Sequence, residues 1–240
     1  MKRRINEETK NNILNVLYKY DITEDIFNHA RKMDMDLIRL FYDKIIKAKD
    51  NNSLVKNKDD LSQMLFGVYG NYCATKHFKD LGYDVINEYS IKDRFKREIT
   101  KADIAFYDDN NKLNLCEVKA TPQIIDNIRN YKSDNEDMYN DSFYYDKDAE
   151  IIKYKEIGKK VLKQTKKLKT RGDIVNVVLF KGCYIDDIIK DKLKNTGCNI
   201  IYINYDINKL KRYVYDIVTN ITEELNSNKI IFYKFKSTSK

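Results

Sequence analysis

The chain has 240 residues, with 45 Lys and Arg against 37 Asp and Glu, a formal net charge of +8, and 42% hydrophobic and 34% charged positions. That is enough apolar material for a sizeable core, which excludes a wholly disordered tail and a disulfide-stapled miniprotein. One proline, seven glycines and no tryptophan exclude collagenous, proline-rich and propeller-type repeats.

The opening residues, Met1 to Lys10, are charged and contain no apolar run. The longest apolar segments, Ile174 to Phe180 and Ile200 to Ile203, fall far short of the roughly 20 residues that cross a bilayer. A soluble, cytoplasmic protein with no membrane association is expected. Ile13, Leu14, Leu17 and Tyr18 recur at helical spacing. Thr23 is placed to cap a second helix whose stripe carries Ile26, Ala30, Met33, Leu37, Leu40, Phe41 and Ile45. The polar run 49–58 reads as a linker, so a helical region over residues 1–58 precedes a larger domain over 59–240.

That domain opens with a helix from Asp59 to Leu81, apolar at Leu61, Leu65, Val68, Tyr72 and Phe78 and stopped by Gly82. Three strands follow, Asp84 to Ile91, Ala102 to Tyr107 and Leu113 to Ala120, the last two joined by the turn sequence DDNNK. Beyond a Tyr, Asn and Asp-rich stretch (122–150) lies a lysine-studded helix, Ile151 to Lys169. The chain then reads as a buried strand (174–180), a helix (185–195), a strand (198–205), a helix (208–225) and a last strand (229–235). Helix, three strands, helix, strand is the order of an α/β sandwich, an antiparallel meander extended by a crossover strand.

Alternation puts Asp103, Ala105 and Tyr107 on one face of the hairpin, and Leu115, Glu117 and Lys119 together on the partner strand. If the two strands pair, one carboxylate from each and one ammonium converge. Asp103, Glu117 and the carbonyl of Val118 form an oxygen set suited to Mg²⁺ or Mn²⁺, whose remaining ligands would be water and substrate phosphate. Such an ion acidifies a bound water, and Lys119 is placed to orient that water or to neutralise charge on a phosphate. The acid-x-Lys triplet alone is weak, since about five copies are expected by chance in so charged a chain. Its setting inside the apolar strand LNLCEVKA, after a first strand bearing its own acid, is what carries it. The alternative is an ordinary cross-strand charge pair between Glu117 and Lys119.

These residues resemble the PD-(D/E)XK, or restriction-endonuclease-like, nucleases, in a pattern most similar to Holliday-junction-resolvase-like members. The likeness covers about residues 65–205. Gly67-x-x-Gly70-Asn71-x-x-Ala74 and Leu81-Gly82-Tyr83 look like the first helix of that family. Lys101-Ala102-Asp103-Ile104 and Leu115-Cys116-Glu117-Val118-Lys119 look like its two catalytic strands. The resemblance implies an αβββαβ core with a mixed sheet flanked by helices. It makes Asp103 and Glu117 metal ligands, Lys119 the catalytic lysine, and Gln164 similar to a residue several branches place near the metal. Many relatives carry a glutamate on the first helix where this chain has Asn71, which leaves a weakened, binding-only descendant as the alternative.

The basic balance needs discounting, because only nine of the 45 cations are Arg and the chain is rich in Lys, Asn and Ile. Lys160, Lys163 and Lys167, with Arg171 beyond, form either a phosphate-tracking face or a solubilising one. Arg94, Lys96 and Arg97 either touch a phosphate or decorate a loop. Cys73, Cys116, Cys183 and Cys198 form no CxxC pair and read as core thiols, Cys73 and His77 included as a same-face pair. The aromatic stretch 131–145 reads as a lid or as core. The expectation is a magnesium- or manganese-dependent DNA endonuclease, its N-terminal helices serving substrate recognition or assembly into a homodimer.

Overall fold

The Asp59 to Leu81 helix of the sequence spans Lys58–Asp80 in the computed structural model, and its end shows why it stops there. Gly82 adopts φ 93°, a left-handed conformation that costs an L side chain but not glycine. Its N–H donates to the Lys79 carbonyl at 2.9 Å and the Tyr83 N–H to the Phe78 carbonyl at 3.1 Å, which closes the helix as a Schellman cap. Phe78 and Tyr83 both lie against the ring of Phe106, at centroid distances of 4.7 and 4.5 Å, so the cap also pins the helix to the sheet.

The structure describes residues 24–33, 58–124 and 147–226, with residues 7, 11, 14 and 15. In chain order the elements are α1 (Glu24–Lys32), α2 (Lys58–Asp80), β1 (Ile86–Lys92), β2 (Glu98–Tyr107), β3 (Leu113–Lys119) and β4 (Gln123–Ile124). They continue with α3 (Lys147–Leu168), β5 (Ile174–Lys181), β6 (Tyr184–Ile185), α4 (Asp187–Asn195), β7 (Cys198–Asp206) and α5 (Ile207–Asn226). The chain divides into two compact units, residues 1–68 with 211–240, and residues 69–210. In the first, Ile26, Phe27, Ala30 and Met33 form the buried stripe of α1. Of the helix expected around 13–18 only residues 14 and 15 are described, both helical, and the stripe beyond Met33, the 131–145 stretch and the 229–235 strand lie outside the described residues.

The second unit is built on a mixed sheet of five strands in the order β1-β2-β3-β5-β7. β1, β2 and β3 form the expected antiparallel meander, and β5 and β7 extend it in parallel. Ala105 opposes Leu115 and Ile104 opposes Cys116, so the odd-numbered residues of both strands share one face, as alternation requires. Apolar runs in β5, nearly all buried, reflect a sheet covered on both sides. A chain of amides crosses it, buried at Asn114 and Asn176 and reaching the surface at Asn199: Asn199 donates to Asn176 at 3.2 Å and Asn176 to Asn114 at 3.1 Å, which ties β3, β5 and β7 in one register. β4 and β6 form a separate two-stranded parallel pair. Among the described residues no helix is long and apolar enough to cross a membrane. Three of the four free cysteines are buried and Cys73 is half-buried, in keeping with core thiols.

The two glycines of the α2 motif differ. A Cβ built on Gly70 would collide with the Cβ of Ala120, while one on Gly67 meets nothing within 4 Å. Gly70 is therefore a point where α2 packs tightly against Ala120, just past the end of β3. Gly70→Ala is expected to destabilise the protein by about 1–3 kcal/mol through overpacking. Gly67→Ala is expected to be neutral or stabilising by up to about 1 kcal/mol, because alanine orders the helix better. Urea denaturation of the two variants measures the contrast.

Candidate active site

β2 and β3 pair only as far as Ile104 and Cys116, and the next opposed positions are Asp103 and Glu117. There the strands part. The gap is bridged by a side chain, since the Asp103 Oδ2 accepts the backbone N–H of Val118 at 2.7 Å. An extended residue points its N–H and C=O to the same edge, so the Val118 carbonyl also faces the β2 side. Lys119, two residues beyond Glu117 on the same face, places its Nζ 2.5 Å from Glu117 Oε1. The other oxygen of Glu117, Oε2, is buried and meets no partner in hydrogen-bond geometry, although the Gln164 amide lies close enough to favour the charged carboxylate.

Electrostatics follow from this enclosure. Burial, and then the charge of Asp103, push the Glu117 carboxyl up to about 7, against the opposing pull of Lys119 and of the Gln164 amide. Burial also raises Asp103, with Lys119 and the Val118 N–H acting to lower it. Burial alone would depress Lys119, but the charges of Glu117 and Asp103 outweigh it and hold the ammonium above its ordinary value. The pocket thus contains two carboxylates and one ammonium in a low-dielectric setting, one negative charge in excess when all are ionised.

That excess, together with the unpartnered Glu117 Oε2, suits a further cation. Among the described residues no three His, Cys, Asp or Glu side chains group closely enough to hold a metal by themselves. The protein ligands here would be Asp103, Glu117 and the Val118 carbonyl, which fits a hard ion that keeps several waters or takes substrate oxygens.

Gln164 reaches the same place from α3. Its Nε2 donates to the Lys101 carbonyl at 3.0 Å and to Thr100 Oγ1 at 3.1 Å, which anchors the helix over the start of β2 beside Glu117. Lys160 and Lys167, four residues before and three after, share that face of the helix, whereas Lys163 is turned about 100° away. All three lysines are exposed, as are Arg97 and Arg171. Arg97 is held by Asp93, Nε to Oδ2 at 2.9 Å, and Arg171 lies near enough to add to the lowering of the Asp93 carboxyl. The structure therefore gathers Asp103, Glu117, Lys119 and Gln164 at one point, and sets Arg97 and Arg171 near the Asp93 carboxylate, away from it.

Asn71 is buried on α2, and its Nδ2 donates to the Asp103 carbonyl at 3.4 Å. Its amide is spent on positioning β2. Sequence reasoning missed Glu88, which lies opposite Asp103 on the β1 side between the pairs Asn87–Ile104 and Tyr89–Ala102. Glu88 has φ 49° and an ion pair to Lys101 at 3.6 Å, so β1 carries a strained residue beside the pocket. A left-handed glutamate within a strand leaves no mark in composition or period.

The raised carboxyl of Glu117 makes a stability prediction. Between its unfolded value near 4.5 and its folded value near 7, the folded chain keeps a proton that the unfolded chain has lost, so stability falls as pH rises through this range. Glu117→Gln, which leaves Asp103 and Lys119 balanced, is expected to be more stable than wild type in chelator at pH 8 by up to about 3 kcal/mol. The advantage should shrink towards zero at pH 5. Thermal denaturation of both proteins across that window measures the difference, and a pH-independent gap contradicts it.

Comparison of the chain with protein-family models, with curated proteins and with solved structures returned no match in any of the three.

Proposed function

We propose that this protein is a metal-dependent nuclease with a restriction-endonuclease-like core, hydrolysing phosphodiester bonds within DNA. The observation that supports it most is the meeting of Asp103, Glu117 and Lys119 where β2 and β3 part, with a buried oxygen of Glu117 left unpartnered. In this reading Asp103, Glu117 and the Val118 carbonyl hold Mg²⁺ or Mn²⁺, which supplies an acidified water and a Lewis acid for the phosphoryl oxygen. Lys119 holds its ammonium next to the carboxylates, where it orients the attacking water and offsets negative charge growing on the phosphate. Gln164 fixes α3 over this point, and Lys160, Lys163, Lys167, Arg97 and Arg171 supply phosphate contacts that position the backbone without reading sequence.

A second reading, a binding or interaction module of a mobile element or defence system built on the same scaffold, draws on Asn71. That side chain gives the pocket an amide aimed at the Asp103 backbone, where a carboxylate would have added a third acid.

Incubating the purified protein with plasmid, linear, single-stranded and branched DNA in Mg²⁺, Mn²⁺ or EDTA, beside Lys119→Ala, separates the two readings. The nuclease reading expects metal-dependent cleavage by the wild type alone. Binding without cleavage supports the second reading, and undiminished cleavage by Lys119→Ala contradicts the site.

A further inference from the structure

The turn between β1 and β2 is unusual for its exposed aromatic. Phe95 is 62% exposed, the largest value for a large hydrophobic among the described residues, and it sits on a hairpin tip flanked by cations. The Arg94 guanidinium lies 4.7 Å and that of Arg97 5.1 Å from the ring centroid, so three planar groups cluster at the tip. The tip is also preformed. Asp93 Oδ1 accepts the N–H groups of Phe95 at 2.8 Å and Arg97 at 2.9 Å, its Oδ2 takes Arg97 Nε, and Lys96 turns the chain at φ 63°. Both acids of the turn are occupied within it, Asp93 in this way and Glu98 by the hydroxyl of Ser90 at 2.8 Å. Lys92, Arg94, Lys96 and Arg97 therefore outnumber the acids, and Arg171 lies near the same Asp93.

An exposed phenylalanine costs apolar hydration, and an aspartate holds it in place on a rigid turn among guanidinium groups. That chemistry matches a ligand that is both planar and polyanionic: unpaired bases stack on aromatic rings and guanidinium planes while their phosphates pair with the cations. A protein partner of matching charge would have to be acidic, and it would gain nothing from the planar cluster that an unpaired base does not gain more fully. Arg97 immediately precedes β2 and lies six residues before Asp103, at most about 20 Å of extended chain. The tip is thus set roughly six nucleotide steps of 3.4 Å from the carboxylates.

Resting on the nuclease reading above, we propose that the β1–β2 tip is a stacking site for an unpaired base about six nucleotides from the scissile phosphate, and that it biases the protein towards DNA carrying unpaired bases. Phe95 supplies the platform, and Arg94, Arg97 and Arg171 the phosphate contacts.

The test is fluorescence titration of the full chain, in EDTA so that no cleavage occurs, with fully paired duplex and with the same duplex carrying an unpaired 2-aminopurine. Wild type is expected to bind the unpaired form more tightly and to quench the probe. Phe95→Ala should lose about 5- to 30-fold in affinity for the unpaired form with little change on the duplex, and Phe95→Tyr should restore both preference and quenching. Phe95 is exposed, so neither variant threatens the fold. Equal preference in Phe95→Ala overturns the proposal, and cleavage of plasmid by that variant in Mg²⁺ would show that the nuclease reading survives it. Failure of the wild type to bind either oligonucleotide overturns it too, and selective capture of an acidic protein through Phe95 would replace it with a protein-docking role.

Discussion

Replacing Lys119 by alanine is expected to lower metal-dependent cleavage by about a hundredfold to a thousandfold while leaving nucleic-acid binding in EDTA close to wild type. The magnitude is that of removing one preorganised positive or hydrogen-bonding group from a site where charge develops. Lys119 meets that description because its Nζ is held 2.5 Å from Glu117 and its side chain is only 26% exposed. The cations proposed to contact phosphate lie elsewhere, on α3 and at the β1–β2 tip, so binding should survive. The same substitution leaves Asp103 and Glu117 facing each other without the ammonium between them. In EDTA at pH 8 a loss of about 3 kcal/mol is expected, as when one partner of a buried pair is removed. Added Mg²⁺ should recover part of it, because a ligand that binds only the folded state stabilises that state. Cleavage assays and thermal melts with and without Mg²⁺ report the two effects separately.

Asp103 has two tasks that different substitutions separate. Its carboxylate supplies one of the two charges of the pocket, and its Oδ2 satisfies the Val118 N–H where the strands part. Asp103→Asn keeps an acceptor oxygen for that N–H, so stability should stay within about 1 kcal/mol of wild type, while cleavage falls by about a thousandfold with the loss of an anionic ligand. Asp103→Ala removes the acceptor as well and strands a backbone donor, at a further cost of about 1–3 kcal/mol. If Asp103 served only to close the sheet, Asp103→Asn would cleave like wild type. Parallel measurement of cleavage and urea denaturation for the pair distinguishes these outcomes.

Much of this arrangement was legible because period-2 alternation fixes the face of every strand residue once a hairpin is recognised. Asp103, Glu117 and Lys119 follow from two apolar strands and one turn. Other features carry no such signal. β2 begins four residues earlier than its apolar run, at Glu98, because Glu98–Lys101 pairs with β1 while exposing charged side chains that break the pattern. β4 and β6 are two residues each, too short for any period. Asn176 sits inside a strand that reads as continuously apolar, and only the neighbouring Asn114 and Asn199 explain how a buried amide is accommodated there. In the sequence Gln164 is marked out by the resemblance. Its approach to Glu117 depends on where the helix crosses the sheet, which is set by tertiary packing.

The most direct measurement is titration of Mn²⁺ into the purified protein at pH 8, followed by calorimetry or by electron paramagnetic resonance. At least one Mn²⁺ should bind to the wild type with an affinity that both Asp103→Asn and Glu117→Gln weaken at least about tenfold, with each variant still folded. Mn²⁺ binding that is unchanged in both variants would contradict a cation site built from these two carboxylates, and with it the proposed chemistry.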